Sequence, residues 1–212
     1  MNELGLASQE NISRYAEWCG ADYRLLRGNV LDESFNPPMQ KLFMLDESFD
    51  EYDVVVMLDM DMFARKGMGK NIFTDETGYG KHTEVQERLS NEIVQQYPQL
   101  GKAGYPYWGG AVYRFPRAER QKMRVGLQME DFRPFNKANH FEDEGVMHVL
   151  AARAGMKLNE RSYMKSNLWE CGNFEGNVGR CYLIHIRTKV TPKGPKRAKI
   201  ENYNEMVERG LI

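Results

Sequence analysis

The hydrophobic and polar positions along the first half of the chain alternate between helical spacing and short extended runs. Helical spacing follows a candidate N-cap at Ser8, and Gly20 stops it, while an Asn-Pro-Pro break precedes the next helix. In order, the pattern predicts a helix at Ser8 to Cys19, a strand at Ala21 to Arg27, a helix at Met39 to Phe49 and a strand at Val54 to Leu58. The last strand has five apolar residues in a row, which predicts burial on both faces.

The second half of the chain continues the same rhythm after a glycine-containing stretch from Ala64 to Gly80, which predicts a long loop. Helices are predicted at His82 to Tyr97, Ala118 to Met129, His140 to Gly155 and Asn202 to Arg209, and short strands at Val112 to Phe115 and Tyr182 to Ile186. Helices that alternate with strands are typical of an α/β fold with a mostly parallel sheet.

The clearest candidate chemistry follows the strand at Val54 to Leu58. Asp59 and Asp61 come directly after it, at the carboxyl end, where ligands bind in open α/β sheets. Side chains two positions apart in an extended segment point the same way, so both carboxylates can face one ligand. Because two carboxylates this close repel each other without a cation between them, the pair predicts a site for Mn²⁺ or Mg²⁺.

Three interpretations of this Asp-x-Asp motif are open from the residues alone. It is a solvated acidic turn, a phosphatase motif of the HAD-like kind with Asp59 as covalent nucleophile, or the motif that holds a metal on the diphosphate of a nucleotide-sugar. The phosphatase interpretation expects a small hydroxyl residue soon after the second Asp and a later acidic pair at a strand end. Here Met62 follows Asp61, and the later acids begin a helix.

Four further stretches carry candidate chemistry, and each also has an ordinary structural explanation. Gly109-Gly110 either makes a tight turn or lets the backbone approach a sugar closely. Glu142-Asp143-Glu144 opens a predicted helix. Acids at this position either interact favourably with the positive end of the helix dipole or face a substrate hydroxyl or the reacting carbon. His185, between two isoleucines, is either packed or a ligand. The basic loop after it, which includes Lys193, is either solvated or neutralises a diphosphate.

Composition narrows the class of protein. A chain of 212 residues with 42% hydrophobic and 11% aromatic residues can fold as one domain, and a net charge of −1 argues against general nucleic-acid binding. Apolar runs stay short of the roughly 20 residues that a membrane span needs, and the N-terminus lacks a secretory-signal pattern. Three cysteines without metal-ligand spacing predict free thiols in a reducing cytoplasm.

The order of short motifs between residues 10 and 195 resembles a known family. These motifs are Tyr-Ala-x-x-x-Gly-Ala-Asp-Tyr at 15–23, Pro-x-x-Lys-Leu at 38–42, Tyr-Asp-Val-Val-Val-Met-Leu-Asp-x-Asp at 52–61, an aromatic stretch with Gly109-Gly110, Asp-Glu-Gly-Val-Met-His at 143–148 and Ile-His-Ile at 184–186. Their order resembles the metal-dependent glycosyltransferases of the GT-A fold, similar to the families of glycogenin and of bacterial lipopolysaccharide galactosyltransferases. It is also similar to N-terminal glycosyltransferase domains of multi-domain enzymes from large algal viruses.

The resemblance implies a Rossmann-like, mostly parallel central sheet flanked by helices, with a small acceptor-side subregion. One catalytic domain would span residues 1–212, with a nucleotide-sugar half at about 1–100, an acceptor half at about 101–195 and a basic tail at 187–212. The implied reaction moves a hexose or deoxyhexose from a nucleotide diphosphate sugar, UDP-sugar by resemblance, to a glycan hydroxyl with Mn²⁺ or Mg²⁺. The implied protein is a monomer or part of a larger chain, located in the cytoplasm, which for a viral protein is that of the host.

Carried over residue by residue, the resemblance assigns a set of site residues. Asp59, Asp61 and His185 would bind the metal, and Asp59 would also belong to the cofactor-binding residues, together with Lys193, Gly109 and Gly110. Lys193 would contact the diphosphate, and the two glycines would line the donor-sugar pocket. Asp143 and Glu144 would lie near the anomeric carbon. Two features depart from the family. Glu144 stands where glutamine is usual, so either carboxylate is open to a direct nucleophilic role. The family's first strand, which holds the nucleobase, is short or missing ahead of Ser8.

The stereochemical outcome and the catalytic competence of the chain stay open at the sequence level. With retention of configuration, which the resemblance favours, the acceptor hydroxyl attacks from the leaving-group side and a phosphate oxygen takes its proton. With inversion, Asp143 or Glu144 would act as the general base. A non-catalytic glycan-binding domain of the same fold is the remaining alternative.

Overall fold

The computed structural model describes residues 3–67, 69–74, 78–79, 84–96, 98, 110–136, 142–156, 158–159, 181–188 and 196–212. Within these ranges the protein has five α-helices, namely α1 (Glu3–Cys19), α2 (Glu84–Gln96), α3 (Arg117–Arg124), α4 (Glu142–Arg153) and α5 (Lys199–Glu208). Shorter 3-10 helices lie at Pro38–Leu45, Glu47–Phe49, Ile72–Thr74 and Met129–Phe135. None of the described helices has both the length and the apolar character that a membrane crossing requires.

Six short strands occur in the same ranges. They are β1 (Val54–Leu58), β2 (Met62–Ala64), β3 (Gly78–Tyr79), β4 (Val112–Pro116), β5 (Leu158–Asn159) and β6 (Leu183–His185). They form three two-stranded sheets, in which β1 pairs with β4, β2 runs antiparallel to β6, and β3 runs parallel to β5. The described residues therefore confirm the mixed α/β class, but they do not make up one continuous parallel sheet.

The chain divides into two compact units that interleave along the sequence. The first unit comprises Met1–Leu25, Leu58–Asp75 and Arg161–Ile212, and the second comprises Leu26–Met57 and Glu76–Glu160. Each unit therefore brings together residues that are far apart in the chain. The prediction of one catalytic domain with two halves that meet near residue 100 stays a prediction.

In the first unit, α1 is fastened to β2 by polar side chains. The Ser8 hydroxyl donates to the carbonyl oxygen of Met62 at 2.8 Å. The Asn11 side chain accepts from the amide of Ala64 at 2.6 Å and donates to its carbonyl oxygen at 3.1 Å. These bonds hold the strand that directly follows Asp61. The apolar core below them contains Leu4, Phe63, Cys181, Ile184, Ile186 and Met206.

In the second unit, α4 is a buried helix, and every side chain from Glu142 to Ala151 lies inside the protein. Helix α2 packs against it through Leu89 and Ile93, which are both buried. The close approach depends on Gly145, because a Cβ atom there would lie 2.9 Å from the Cβ of Leu89. A helix without a solvent-exposed face lets its first-turn carboxylates lie inside the protein as well.

Arginine side chains of α3 hold the segment that leads into β1. Arg120 is fully buried and donates to the carbonyl oxygens of Phe115, Phe49 and Tyr52 at 2.7 to 2.9 Å. Arg124 forms an ion pair with Asp50, with a shortest distance of 2.6 Å. A guanidinium group carries five donors in a fixed plane, so one side chain can satisfy several carbonyl groups at a loop.

Several predicted elements differ from the structure in extent or type. Helix α1 begins at Glu3, so Ser8 lies inside the helix and not at its N-cap. The Ser8 hydroxyl donates instead to the carbonyl oxygen of Met62. The predicted strand at 21–27 has no regular structure, and the predicted helix at 39–49 consists of two 3-10 helices. Strand β1 is half-buried at every position and not buried on both faces.

The other differences concern helix ends and the predicted loop. Helix α3 ends at Arg124, and a 3-10 helix follows only at Met129. The predicted loop at 64–80 contains a 3-10 helix and β3. Helices α2 and α4 and strands β4 and β6 lie where they were predicted, with ends shifted by a few residues. The periodicity of apolar residues locates these elements, but it does not distinguish an α-helix from a 3-10 helix.

Candidate functional site

Asp59, Asp61 and His185 converge in the first unit, at the edge of the sheet formed by β2 and β6. Asp59 and Asp61 belong to the turn between β1 and β2, in which the amide of Met62 donates to the carbonyl oxygen of Asp59 at 3.1 Å. Antiparallel pairing places Met62 opposite His185, and the amide of Ile186 donates to the carbonyl oxygen of Asp61 at 2.9 Å. One ligand atom from each of the three side chains lies within 4.8 Å of the other two.

The Asp61 carboxylate is shared between two partners. Its Oδ1 lies 3.2 Å from Nε2 of His185, and its Oδ2 forms an ion pair with the ammonium group of Lys199, the first residue of α5. Burial alone would raise the pKa of Asp61, but the hydrogen bond and charge of His185, followed by those of Lys199, hold that pKa below its ordinary value. Asp61 is therefore ionised at neutral pH.

The donor atoms of this cluster fit a divalent cation. Two carboxylates supply hard oxygen ligands, and His185 adds an imidazole nitrogen, which suits Mn²⁺ better than Mg²⁺. The other ring nitrogen of His185, Nδ1, is buried and has no hydrogen-bond partner among the described residues. The described polar contact of the imidazole is thus the one from Nε2 to Asp61, which a cation between the two side chains would replace.

A second polar cluster lies in the second unit, at the start of α4. Glu144 and Asp143 are buried, and Glu144 Oε1 accepts a hydrogen bond from the amide of Gly110 at 2.7 Å. Asp143 Oδ2 accepts a hydrogen bond from the Tyr113 hydroxyl at 2.9 Å and lies 3.5 Å from Nζ of Lys41. The helix dipole alone does not account for these acids, because each contacts a specific donor on another element.

Gly110 is the point at which the backbone meets both carboxylates. A Cβ atom added there would lie 2.7 Å from Glu144 Oε1 and 3.2 Å from Asp143 Oδ2, so a larger residue would displace the acids. The carbonyl oxygen of Gly110 accepts a hydrogen bond from Lys41 Nζ at 2.7 Å. Gly110 therefore binds the Glu144 carboxylate through its amide and the Lys41 ammonium group through its carbonyl oxygen.

Two lysine residues of these clusters were not identified as functional from the sequence. Lys41 lies among buried apolar residues of the 3-10 helix Pro38–Leu45, and a lone lysine in an apolar run is the signal that could have identified it. Its ammonium group also lies 5.9 Å from the centre of the Tyr113 ring. Lys199 carries no such signal, because it is one of several basic residues in a polar stretch.

The predicted site residues Gly109 and Lys193 lie outside the described residues, as do the aromatic residues at 105–108 and Cys171. Of the other predicted residues, the structure brings Asp59, Asp61 and His185 together in the first unit, and Gly110, Asp143 and Glu144 together in the second. These are two clusters of different chemistry, one suited to a cation and one made of buried, hydrogen-bonded carboxylates.

The chain was compared with protein-family profiles, curated protein sequences and solved structures. No protein-family profile, curated protein sequence or solved structure matches the chain.

Proposed function

We propose that this protein is a metal-dependent glycosyltransferase of the GT-A fold, which moves a hexose or deoxyhexose from a UDP-sugar to a hydroxyl group of a glycan. The observation that supports it most is the convergence of the Asp-x-Asp pair with His185, a histidine from the far end of the chain. A solvated acidic turn needs no histidine from another strand. The same three residues are those that the motif order assigns to the metal.

Asp59, Asp61 and His185 would hold Mn²⁺, or Mg²⁺ in its place. When bound, such a cation stabilises the negative charge of the departing nucleoside diphosphate as a Lewis acid. The protein's own contribution is to keep Asp61 ionised and to hold its backbone through the β2–β6 pairing, so that the ligands need little rearrangement. Lys193, in the basic loop after His185, is proposed to contact the diphosphate.

On the basis of the motif order, Asp143 and Glu144 are proposed to act near the anomeric carbon of the sugar. Cleavage of the bond to the diphosphate gives the sugar oxocarbenium character, which a nearby carboxylate stabilises. Asp143 is held by Tyr113 and Lys41, and Glu144 by the amide of Gly110, so both acids have fixed positions. With retention, the acceptor hydroxyl would attack on the leaving-group side and a phosphate oxygen of the departing diphosphate would take its proton. With inversion, one of these acids would take that proton.

Product analysis tests the proposed function directly. The chain is incubated with Mn²⁺, a panel of nucleotide diphosphate sugars and glycan acceptors, and the products are analysed by mass spectrometry. We expect one or a few donors to yield a glycosylated acceptor, and we expect EDTA to stop the reaction. Release of phosphate from simple phosphate esters would instead indicate a phosphatase. Acceptor binding without turnover, independent of metal, would indicate a glycan-binding domain.

Gly110→Ala is expected to lower both stability and turnover. The new methyl group must displace the Glu144 carboxylate, which costs about 1–3 kcal/mol in a packed interior and about 10²-fold in rate if an acid moves by roughly an ångström. Thermal unfolding and steady-state kinetics measure the two effects. Gly69→Ala is the matched control, because nothing lies within 4 Å of a Cβ atom there. Wild-type turnover in Gly110→Ala would argue against a role for the acids in the reaction.

A further inference from the structure

We propose that Lys199 is the internal counter-ion of the Asp59–Asp61–His185 cluster. A divalent cation that binds the cluster displaces the Lys199 ammonium group, which then binds the phosphate groups that accompany the cation. This inference rests on the proposed metal site and adds a residue to it. The role joins two binding events, because the lysine must leave the carboxylate before it can meet the anion.

The ammonium group of Lys199 contacts the metal-binding carboxylate directly. Lys199 Nζ forms an ion pair with Asp61 Oδ2, while the other oxygen of the same carboxylate faces Nε2 of His185. One edge of the metal-binding carboxylate is therefore already covered by a positive charge. The Lys199 side chain is 43% exposed, whereas that of Asp61 is only 14% exposed. The lysine can thus move into solvent without disturbing the core.

The charges of the cluster set Lys199 in competition with a divalent cation. The two carboxylates carry two negative charges, and the ammonium group of Lys199 offsets one of them through its ion pair with Asp61. A divalent cation would neutralise both, and the ammonium group would then stand beside a like charge. The cation and Lys199 therefore compete for Asp61 Oδ2.

Hydrogen bonds hold the backbone on both sides of Lys199, so it stays in place when the side chain moves. The amide of Arg197 donates to the carbonyl oxygen of Thr188 at 2.7 Å, and Asn202 Nδ2 donates to the carbonyl oxygen of Arg187 at 2.6 Å. The start of α5 is thereby tied to the segment that follows His185. The released ammonium group stays within side-chain reach of the cluster, where a metal-bound diphosphate would lie.

The first measurement concerns the metal alone. Mn²⁺ binding to the full chain is followed by electron paramagnetic resonance, or by isothermal titration, for the wild type, Lys199→Gln and Lys66→Gln. We expect Lys199→Gln to bind Mn²⁺ about tenfold more tightly, because the competing charge is gone. Lys66 is exposed and lies in the same unit, so Lys66→Gln makes the same change of charge at a residue outside the cluster. The Lys66→Gln variant should therefore bind Mn²⁺ with wild-type affinity.

The second measurement concerns the anion. Uridine diphosphate is titrated at saturating Mn²⁺, and we expect Lys199→Gln to bind it about tenfold more weakly, since one charged hydrogen bond to phosphate is lost. Lys199→Arg keeps the charge and should restore both affinities toward the wild type. A higher affinity for Mn²⁺ together with a lower affinity for uridine diphosphate is the specific signature of this role. A lysine that only supports the fold would weaken both affinities or neither.

The outcomes separate this inference from the proposed metal site. If the wild type binds Mn²⁺ but Lys199→Gln leaves the affinity for the metal or the anion unchanged, or weakens both, the counter-ion role is overturned while the metal site stands. If the wild type does not bind Mn²⁺, both fall together. Unfolding temperatures of all variants confirm that the comparison is made between folded proteins.

Discussion

Asp61→Ala is expected to abolish Mn²⁺ binding and to lower the rate of sugar transfer by a factor on the order of 10³ or more. Asp61 is the carboxylate that contacts His185 and Lys199, so its removal takes away one of two charged ligands and leaves the site with a single negative charge. The fold should survive, because Asp61 joins the β2–β6 pairing through its backbone. Metal binding, product formation and unfolding temperature are measured on the same preparation.

Asp61→Asn and Asp22→Ala sharpen this test. The asparagine keeps the shape of the side chain and loses only the charge, so it should bind Mn²⁺ almost as poorly as the alanine variant. Asp22 is an exposed acid in the same unit, and its replacement should change nothing. His185→Ala removes a neutral ligand and should weaken Mn²⁺ binding less than Asp61→Ala does. Full activity and wild-type metal affinity in Asp61→Ala would reject the metal centre.

Asp143→Asn and Glu144→Gln are each expected to lower turnover by about 10²- to 10⁴-fold, with a smaller effect on donor affinity. Both substitutions keep the size of the side chain and remove the negative charge that would stabilise a cationic sugar or take a proton. A comparison of Glu144→Gln with Glu144→Asp separates charge from position, because the aspartate keeps the charge but shortens the reach to Gly110. Steady-state kinetics with varied donor concentration separate turnover from binding.

Stability must be followed alongside the kinetics of these variants. Asp143 and Lys41 are a largely buried pair, and removal of one partner from such a pair costs about 3–5 kcal/mol, with asparagine at the mild end because it still accepts a hydrogen bond from Tyr113. Glu33→Gln, which changes an exposed acid in the same unit, is the control. An effect confined to donor affinity would make the acid a positioning residue, and unchanged kinetics would leave it a structural one.

Local sequence patterns were sufficient for those elements whose apolar residues repeat with a clear period. Helix α2 and strand β4 follow from such patterns, as does the position of Asp59 and Asp61 after a strand. Patterns were insufficient where the chain makes a specific polar contact. Ser8 has the residue type of a helix start, yet its hydroxyl bonds to a carbonyl group on another element. The 3-10 helices from Pro38 to Phe49 have an apolar pattern that is also compatible with an α-helix.

The sequence by itself determined the α/β class and placed two acids beside each other after a strand, because both depend on neighbouring residues and on their period. Only the tertiary structure decided which distant groups meet these acids. Lys199 reaches Asp61 across 138 positions, and Lys41 reaches Gly110 across 69. Such contacts arise from strand pairing and from burial of helix α4, which bring charges together regardless of their separation along the chain. A local pattern contains no information on those distances, and for that reason the contacts of both lysines emerged only from the folded protein.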